Sequence, residues 1–239
     1  MLHSEFPAIS VLVPTYMERN NVGVLLGSIN KNLAEYKFEV VVVDDNSADG
    51  TAEEVRRLTK SYGNTKLIVR SQKMGLGSAY RTGYNASSNE VIVEMDADLS
   101  HNPEEITKLI SGLENGDVVI GSRYVSGGNI VGWNWKRRLI SWTANRLAKW
   151  SLGLKPKDVT SGFRVYSKDA FEKIISHSKL NGYSFQIEVL YLAKKLGFQV
   201  KEVPITFTER ARGKSKLGLK EMARFAFSII SLRFRRLKF

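Results

Sequence analysis

Residues 91–105 read VIVEMDADLSHNPEE. An uninterrupted apolar run, Val91-Ile92-Val93, leads straight into Glu94, Asp96 and Asp98. In an extended strand alternate residues share a face, so the spacing predicts three carboxylates pointing the same way. Like charges that close repel unless something positive lies between them. The stretch is therefore either a solvated strand end or the holder of a cation. The apolar run also reads as a strand covered on both faces, and Pro103 marks the first turn of a helix over 103–113.

The same alternation extends outward in both directions. Ile9–Val13, Phe38–Val43, Lys66–Val69, Val91–Met95 and Asp117–Ile120 read as strands. Val22–Leu33, Thr51–Lys60 and Ser78–Ala86 read as helices between them. Continuous Val/Ile runs separated by helices predict an α/β protein with a mostly parallel sheet flanked by helices. Ligands of such sheets bind beyond the carboxyl ends of the strands, which is where Asp44, Asp45, Asp96 and Asp98 fall. After Tyr124 the style changes. SGGNIVG is expected as a flexible loop, Lys136–Leu152 as a basic helix, and Ala170–Ile175 and Phe185–Leu196 as further helices. Phe198–Val203 and Ile205–Thr208 are expected as strands on either side of Pro204. No repeat or linker is visible, so residues 1–239 are expected as one domain, with the change of style dividing it into 1–124 and 125–239.

Charge divides along the same line. The net charge of +12 hides 12 basic and 17 acidic side chains in residues 1–132, then seven basic and no acidic ones in 133–157. Residues 201–239 add 11 basic and three acidic ones. The second half is suited to an anionic partner. Trp133, Trp135, Trp142 and Trp150 all lie in the first basic block, a mixture that suits nucleic acid or a lipid headgroup layer. Near the end, Lys220, Arg224, Ser228, Ser231 and Arg235 fall on one helical stripe, opposite Met222, Phe225, Ile229 and Leu232. The chain has no cysteine, which excludes disulfides, thiol nucleophiles and zinc knuckles. The first residues show no signal-peptide pattern, and no apolar run reaches spanning length.

DADLS (Asp96–Ser100) fits neither an EF-hand, whose sixth and twelfth positions are here His101 and Thr107, nor the usual place of a phosphatase D-x-D. A divalent cation held by Asp98 and bridging a nucleoside diphosphate, or a merely capped strand end, remain as readings. VVVDDNSADGT (41–51) is a second acidic strand tip, which serves as a turn and helix cap or as a contact for a ribose or base. VPTYMERN (13–20) offers Tyr16 for stacking and Glu18 for hydrogen bonding. GLGSAYRTG (75–83) is not a dinucleotide fingerprint, because Tyr80 stands at the third glycine.

Taken in order, VPTYMERN, DDNSADGT, LGSAYRTG, MDADLSHNPEE, GSRY, SGFRVY, GYSFQIEV, EVPITFTER and GKSKLG run over nearly the whole chain. In these strings the chain resembles the inverting glycosyltransferases of family 2, and within them the dolichol-phosphate mannose synthases. The resemblance implies a GT-A-type, Rossmann-like domain, with 1–124 as its nucleotide- and metal-binding half and 125–239 as its acceptor- and membrane-facing half, the latter ending in the basic C-terminal amphipathic helix read above. It implies transfer of mannose from GDP-mannose to dolichyl or another polyprenyl phosphate, with Mg²⁺ or Mn²⁺ as cofactor. Carried over by position, it implies nucleotide contacts at Pro14, Tyr16, Glu18, Val43, Asp45, Asp96 and Ala97. Asp98 would hold the metal, with Asp96 and Ser100 as further candidates. Arg123, Arg210 and Lys216 would face phosphate, and Arg137 and Ser141 the acceptor phosphate. Asp98, Arg123 and Arg210 are thus the catalytic candidates. The chain departs from the family pattern at Met17, where Asn is usual, and at Ser100, where Gln is frequent. Some members continue into transmembrane helices, and a small membrane subunit is a further possible partner.

The chemistry agrees with this layout. A phosphate acceptor is already ionised and needs no general base, but two anionic substrates must be brought together and a diphosphate must leave. Metal and cationic side chains offset both repulsions. The expected place of such a protein is peripheral, on the cytoplasmic face of a membrane. Among lesser candidates, His101 is expected beside the metal rather than on it. Asp158 is expected as a sugar contact, Arg164 as an internal ion pair, and Glu188 as lining the site or on a helix surface. UDP-glucose as donor is an alternative, since Tyr16 and Asp45 do not separate guanine from uracil. A nucleic-acid-binding module would leave the acidic strand tips unexplained, so no nucleic-acid partner is expected.

Overall fold

The computed structural model describes residues 7–210 and 219–235, the side chains of 219–222 excepted. In chain order the elements are β1 (Ile9–Thr15), α1 (Arg19–Asn32), β2 (Phe38–Asp44), α2 (Thr51–Thr59), β3 (Thr65–Val69), α3 (Leu76–Ala86), β4 (Val91–Glu94), α4 (Ile106–Ser111) and β5 (Val118–Ser122). They continue with β6 (Asn129–Val131), α5 (Trp135–Leu152), β7 (Arg164–Ser167), α6 (Lys168–His177), α7 (Phe185–Lys195), β8 (Val200–Pro204), β9 (Thr206–Thr208) and α8 (Leu219–Phe234).

The main sheet has the order β3-β2-β1-β4-β7-β5-β8. β1 to β4 pair in parallel, whereas β7 runs antiparallel to both β4 and β5. Period-two alternation assigns the two faces. Ile9, Val11, Val13, Val40, Val42, Val91 and Val93 pack under α1, α2 and α4. Leu12, Val41, Val43 and Ile92 pack under α3, α6 and α7. Both sets are buried, which is why the strands read as continuous apolar runs. Each such side chain contributes roughly 1.5–3 kcal/mol of hydrophobic stabilisation, so the sheet is a rigid floor whose carboxyl-end loops are free to carry chemistry.

Two expectations are corrected, and two features are added. The helix over 103–113 is a 3₁₀ turn at Pro103–Glu105, the short α4, and another 3₁₀ turn at Gly112–Asn115. The SGGNIVG segment is not all loop, since β6 pairs in parallel with β9. β7, which the sequence reading did not identify, places Arg164 opposite Glu94. Finally, Ile229 and Leu232 of α8, with Phe225 partly covered, pack with Ala148, Leu152, Leu190 and Tyr191 in a third cluster. The exposed apolar side chains of α8 are Phe227, Ile230 and Phe234.

Candidate active site

Three loops converge at the carboxyl ends of β1, β2 and β4. Among the described residues the non-glycine backbones in the left-handed region are Met17 (φ 62°), Asn46 (φ 57°) and Leu99 (φ 64°), one in each loop. That conformation is uncommon outside glycine and concentrates where a loop must aim side chains at a ligand. The β2 loop organises the β1 loop. Ser47 Oγ accepts from Met17 N at 2.9 Å, Thr51 Oγ1 from Glu18 N at 2.9 Å, and Asp49 from Arg19 N at 3.2 Å.

At the tip of β2 both aspartates are consumed internally. Asp44 accepts from Thr15 Oγ1 at 2.8 Å and from Ser47 N and Oγ at 2.8 and 2.7 Å. Asp45, also buried, is ion-paired with Arg70 and accepts from the Met74 and Gly75 N–H groups at 3.2 Å each. Val43 is buried in the core and Pro14 lies opposite it in register, so any nucleotide contact by Val43 is through its main chain. Tyr16 carries Lys73 Nζ 3.8 Å from its ring centroid, and Glu18 accepts from Asn21 Nδ2 at 2.7 Å.

The tip of β4 is arranged differently. The strand ends at Glu94, so the strand alternation expected to align the three carboxylates does not extend to Asp96 and Asp98. Glu94 is fully buried, accepts from Tyr166 Oη at 2.9 Å, and has its pKa pushed by burial up to about 7. The chain then turns through Leu99. Asp98 accepts from Ser100 N at 3.0 Å and pairs with Arg210 at 2.9 Å. Asp96 keeps 37% of its side chain exposed. Partial burial, and next the neighbouring Asp98 carboxylate, hold its pKa above the ordinary carboxylate value. Ala97 between them is buried. His101 lies in the same loop with its ring turned inward. It is buried against Phe163 and Phe207, burial pushes its pKa down to about 4, and its neutral Nδ1 faces the Asp96 N–H at 3.4 Å.

The remaining candidates separate. Arg210 is brought to Asp98, whereas Arg123 is buried and held by Asp158 through Nε and Nη2, both at 2.7 Å, with Thr160 Oγ1 at 2.8 Å from Nη2. Asp158, fully buried in this pair, shapes the site wall instead of standing open for a sugar. Burial would raise its pKa, but Arg123 holds it below the ordinary value. Arg137, at the start of α5, pairs with Glu209 at 2.5 Å and lies 4.3 Å from the Trp133 ring. Ser141, one helical turn on, accepts from Tyr124 Oη at 2.8 Å. Glu209 and Arg210 are adjacent, so one short segment touches the basic helix with its acid and the acidic tip with its base. Arg164 is buried but donates to the carbonyls of Ser161, Gln186 and Val159 at 2.8–3.1 Å, with Glu94 opposite in the sheet. Glu188 is neither on a surface nor open to the site; it is fully buried. Lys216 lies outside the described residues.

Sequence reasoning passed over Glu209, which stands inside the quoted TER string, and Lys73 and Thr160, which carry no motif signal. No group of three or more acidic, His or Cys side chains suited to a metal occurs among the described residues. Two adjacent carboxylates, one of them exposed, still fit a divalent ion whose shell is completed by substrate phosphates.

Residues 10–175 match the model of the family "Glycosyl transferase family 2". The chain is 39% identical over 225 residues to a polyprenol monophosphomannose synthase of Mycolicibacterium smegmatis, covering 92% of this chain and 84% of that one. It is 37% identical over 214 residues to an undecaprenyl-phosphate mannosyltransferase of Micrococcus luteus, covering 88% and 87%. A solved glucosyl-3-phosphoglycerate synthase of Mycobacterium tuberculosis, in complex with Mn²⁺, UDP and phosphoglyceric acid, superposes with a TM-score of 0.70 at 19% identity. That match covers 97% of this chain and 80% of the other, and at such identity it speaks for the fold alone. With its acidic strand tips, its mostly parallel sheet and a family match over most of its length, the chain belongs to glycosyltransferase family 2 and is a glycosyltransferase.

Proposed function

We propose that this enzyme transfers mannose, with inversion, from GDP-mannose to a polyprenyl phosphate such as dolichyl phosphate, at the cytoplasmic surface of a membrane. The observation that carries the reading is the meeting of an acidic strand tip with a basic half at Asp98 and Arg210, 2.9 Å apart. The names of the two mannosyltransferase relatives, each matched over most of its length, agree with it.

In the reaction the acceptor phosphate oxygen forms a bond to the sugar C1 as the C1–O bond to the nucleoside diphosphate breaks. The nucleophile is already an anion, so no proton has to be removed. Asp98 and Asp96 would hold Mg²⁺ or Mn²⁺, which when bound offsets the charge on the departing diphosphate. Ser100 N–H fixes the Asp98 carboxylate, while the Ser100 side chain is the less favoured ligand. Arg210 and Lys216 supply cationic charge to the diphosphate. Arg123, committed to Asp158, acts by keeping the GSRY wall in place and by the field of its pair. Tyr16 and Glu18 face the nucleoside, beside the β2 tip. Arg137 and Ser141 at the amino end of α5 meet the acceptor phosphate.

The membrane part of the reading has its own support. Trp135, Leu139, Ile140, Trp142, Leu147 and Trp150 of α5 are exposed, as are Phe227, Ile230 and Phe234 of α8, which packs against α5. No helix among the described residues is long and apolar enough to cross a membrane. Exposed aromatics with Lys and Arg around them suit the headgroup layer, each cation adding roughly 1 kcal/mol near an anionic surface. The testing experiment offers GDP-mannose and UDP-glucose in parallel with a short polyprenyl phosphate and Mn²⁺, and floats the protein on anionic vesicles. Mannosyl transfer with salt-sensitive flotation is expected. Transfer from UDP-glucose alone would move the enzyme to the glucosyl alternative, and no flotation at low salt would remove the membrane surface as partner.

A further inference from the structure

Glu188 of α7 is a fully buried carboxylate that lies outside the catalytic groups named above. It accepts from Ser178 Oγ at 2.8 Å, from Lys179 N at 3.0 Å and from Leu180 N at 2.8 Å. A further partner comes from the end of α8. Arg235 Nη1 reaches Glu188 at 2.5 Å, and Arg235 Nη2 donates to His177 O at 2.6 Å. One carboxylate thus joins the start of the 178–184 loop to the carboxyl end of α8.

That loop is also seated against the site. Gly77 N donates to Asn181 O at 3.0 Å. A Cβ at Gly75 would lie 2.4 Å from Asn181 O, and one at Gly77 2.3 Å from Leu180 O, so the loop lies directly on the start of α3. Gly75 is the residue whose N–H holds Asp45. Further along, Tyr183 is partly exposed, and its phenol pKa is raised by loss of hydration first and then by the Asp96 carboxylate, with Arg210 and Arg137 opposing. The loop and α8 together line a groove of about 490 Å³, formed by Leu180–Ser184 on one side and by Ala223, Arg224, Phe227 and Ser228 on the other. α8 buries Ile229 and Leu232 with Phe225 partly covered, Arg233 donates to Ser151 O at 2.5 Å, and the tie to Glu188 fixes the position of its carboxyl end.

We propose that Glu188 and Arg235 are positioning residues for the acceptor: together they clamp the 178–184 wall and the end of α8 into one fixed geometry. The proposal rests on the reading of a lipid-borne phosphate acceptor that arrives along α5 and α8. The donor side is held mainly by its own hydrogen bonds at β1, β2 and β4, and Tyr183 of the clamped wall is within electrostatic reach of Arg137, so the clamp acts chiefly on acceptor use and much less on nucleotide affinity.

The test compares wild type with Arg235→Ala, Arg235→Lys and Glu188→Gln. It measures KM and kcat with a short polyprenyl phosphate, GDP affinity with Mn²⁺ by calorimetry, and amide exchange at Lys179 and Leu180. Arg235→Ala is expected to raise the acceptor KM about tenfold while kcat and GDP affinity stay within about twofold. The Lys179 and Leu180 amides should exchange faster, and Arg235→Lys should recover most of the KM. Glu188→Gln, which keeps an oxygen acceptor but loses the charge, should fall between. An unchanged acceptor KM in Arg235→Ala overturns the proposal, as does a parallel loss of GDP affinity and thermal stability. If wild type transfers nothing to polyprenyl phosphate, the acceptor reading fails and the positioning role falls with it. In that event faster exchange in Arg235→Ala would show that the clamp itself is real.

Discussion

At the tip of β2, Asp44 and Asp45 are buried, and hydroxyls, N–H groups and Arg70 meet their carboxylates from within the protein. At the tip of β4, Asp98 has one N–H and Arg210, while Asp96 stays more than a third exposed beside a neutral histidine. In sequence both tips are a Val/Ile run ending in aspartates. The fold turns the first into a clamp that shapes the neighbouring loops and leaves the second with charge to offer. A carboxylate whose acceptor sites are filled from inside the chain has little left for a ligand. One that is crowded by a like charge and open to solvent gains from a cation.

The comparison breaks most visibly at Asp45. Asp45→Ala leaves Arg70 buried without its partner, and a loss of about 3–5 kcal/mol is expected in urea unfolding. If stability holds and only nucleotide affinity falls, β2 is a ligand tip as well. Asp98→Asn should do the reverse. Turnover drops about a hundredfold or more, worth roughly 2.7 kcal/mol in the barrier, with thermal stability nearly unchanged. EDTA should have the same effect, and full activity in EDTA would contradict it. Arg210→Ala is expected to slow transfer about tenfold, or roughly 1.4 kcal/mol, without unfolding the protein. Arg123→Ala differs in kind, because it strands the buried Asp158; its main effect should appear as lost stability in the same urea experiment.

The smallest expected effect is a pH slope. Asp158 has a folded pKa below the ordinary 3.8, since Arg123 outweighs the effect of burial. A carboxyl lowered in the folded state adds stability above its unfolded pKa and loses it as pH falls through the folded value. Wild-type stability should therefore fall below a pH of about 4, and Asp158→Asn should show a shallower slope there. Equal slopes would mean that the pair contributes nothing to acid stability.

How much of this was readable beforehand varied with the range of the interactions. β1, β2 and β4 were legible because both sheet faces are apolar and the runs are unbroken. β7 was not, because its four residues begin with Arg164, a buried arginine whose partners are carbonyls supplied by distant loops. The 103–113 helix was overestimated in regularity, its ends being 3₁₀ turns that no periodicity distinguishes at that length. Asp98 and Arg210 were singled out by the resemblance, and the structure pairs them at 2.9 Å. That Arg123 faces inward to Asp158, and that Glu188 is a buried hub, depended on partners 35 and 47 residues away. Local pattern carries no information about such pairs. The α8 stripe was correctly amphipathic, but it took α5 and α7 as neighbours to decide which apolar residues were core and which were left exposed.

The contrast between the two tips is tested most directly by titrating GDP into wild type and Asp98→Asn, each with and without Mn²⁺, and measuring affinity by calorimetry. Wild type should bind GDP at least about tenfold more tightly with Mn²⁺, and Asp98→Asn should lose that gain while its metal-free affinity is retained. A Mn²⁺ effect of the same size in Asp98→Asn would contradict the assignment of the β4 tip as the metal-holding, ligand-facing end of the sheet.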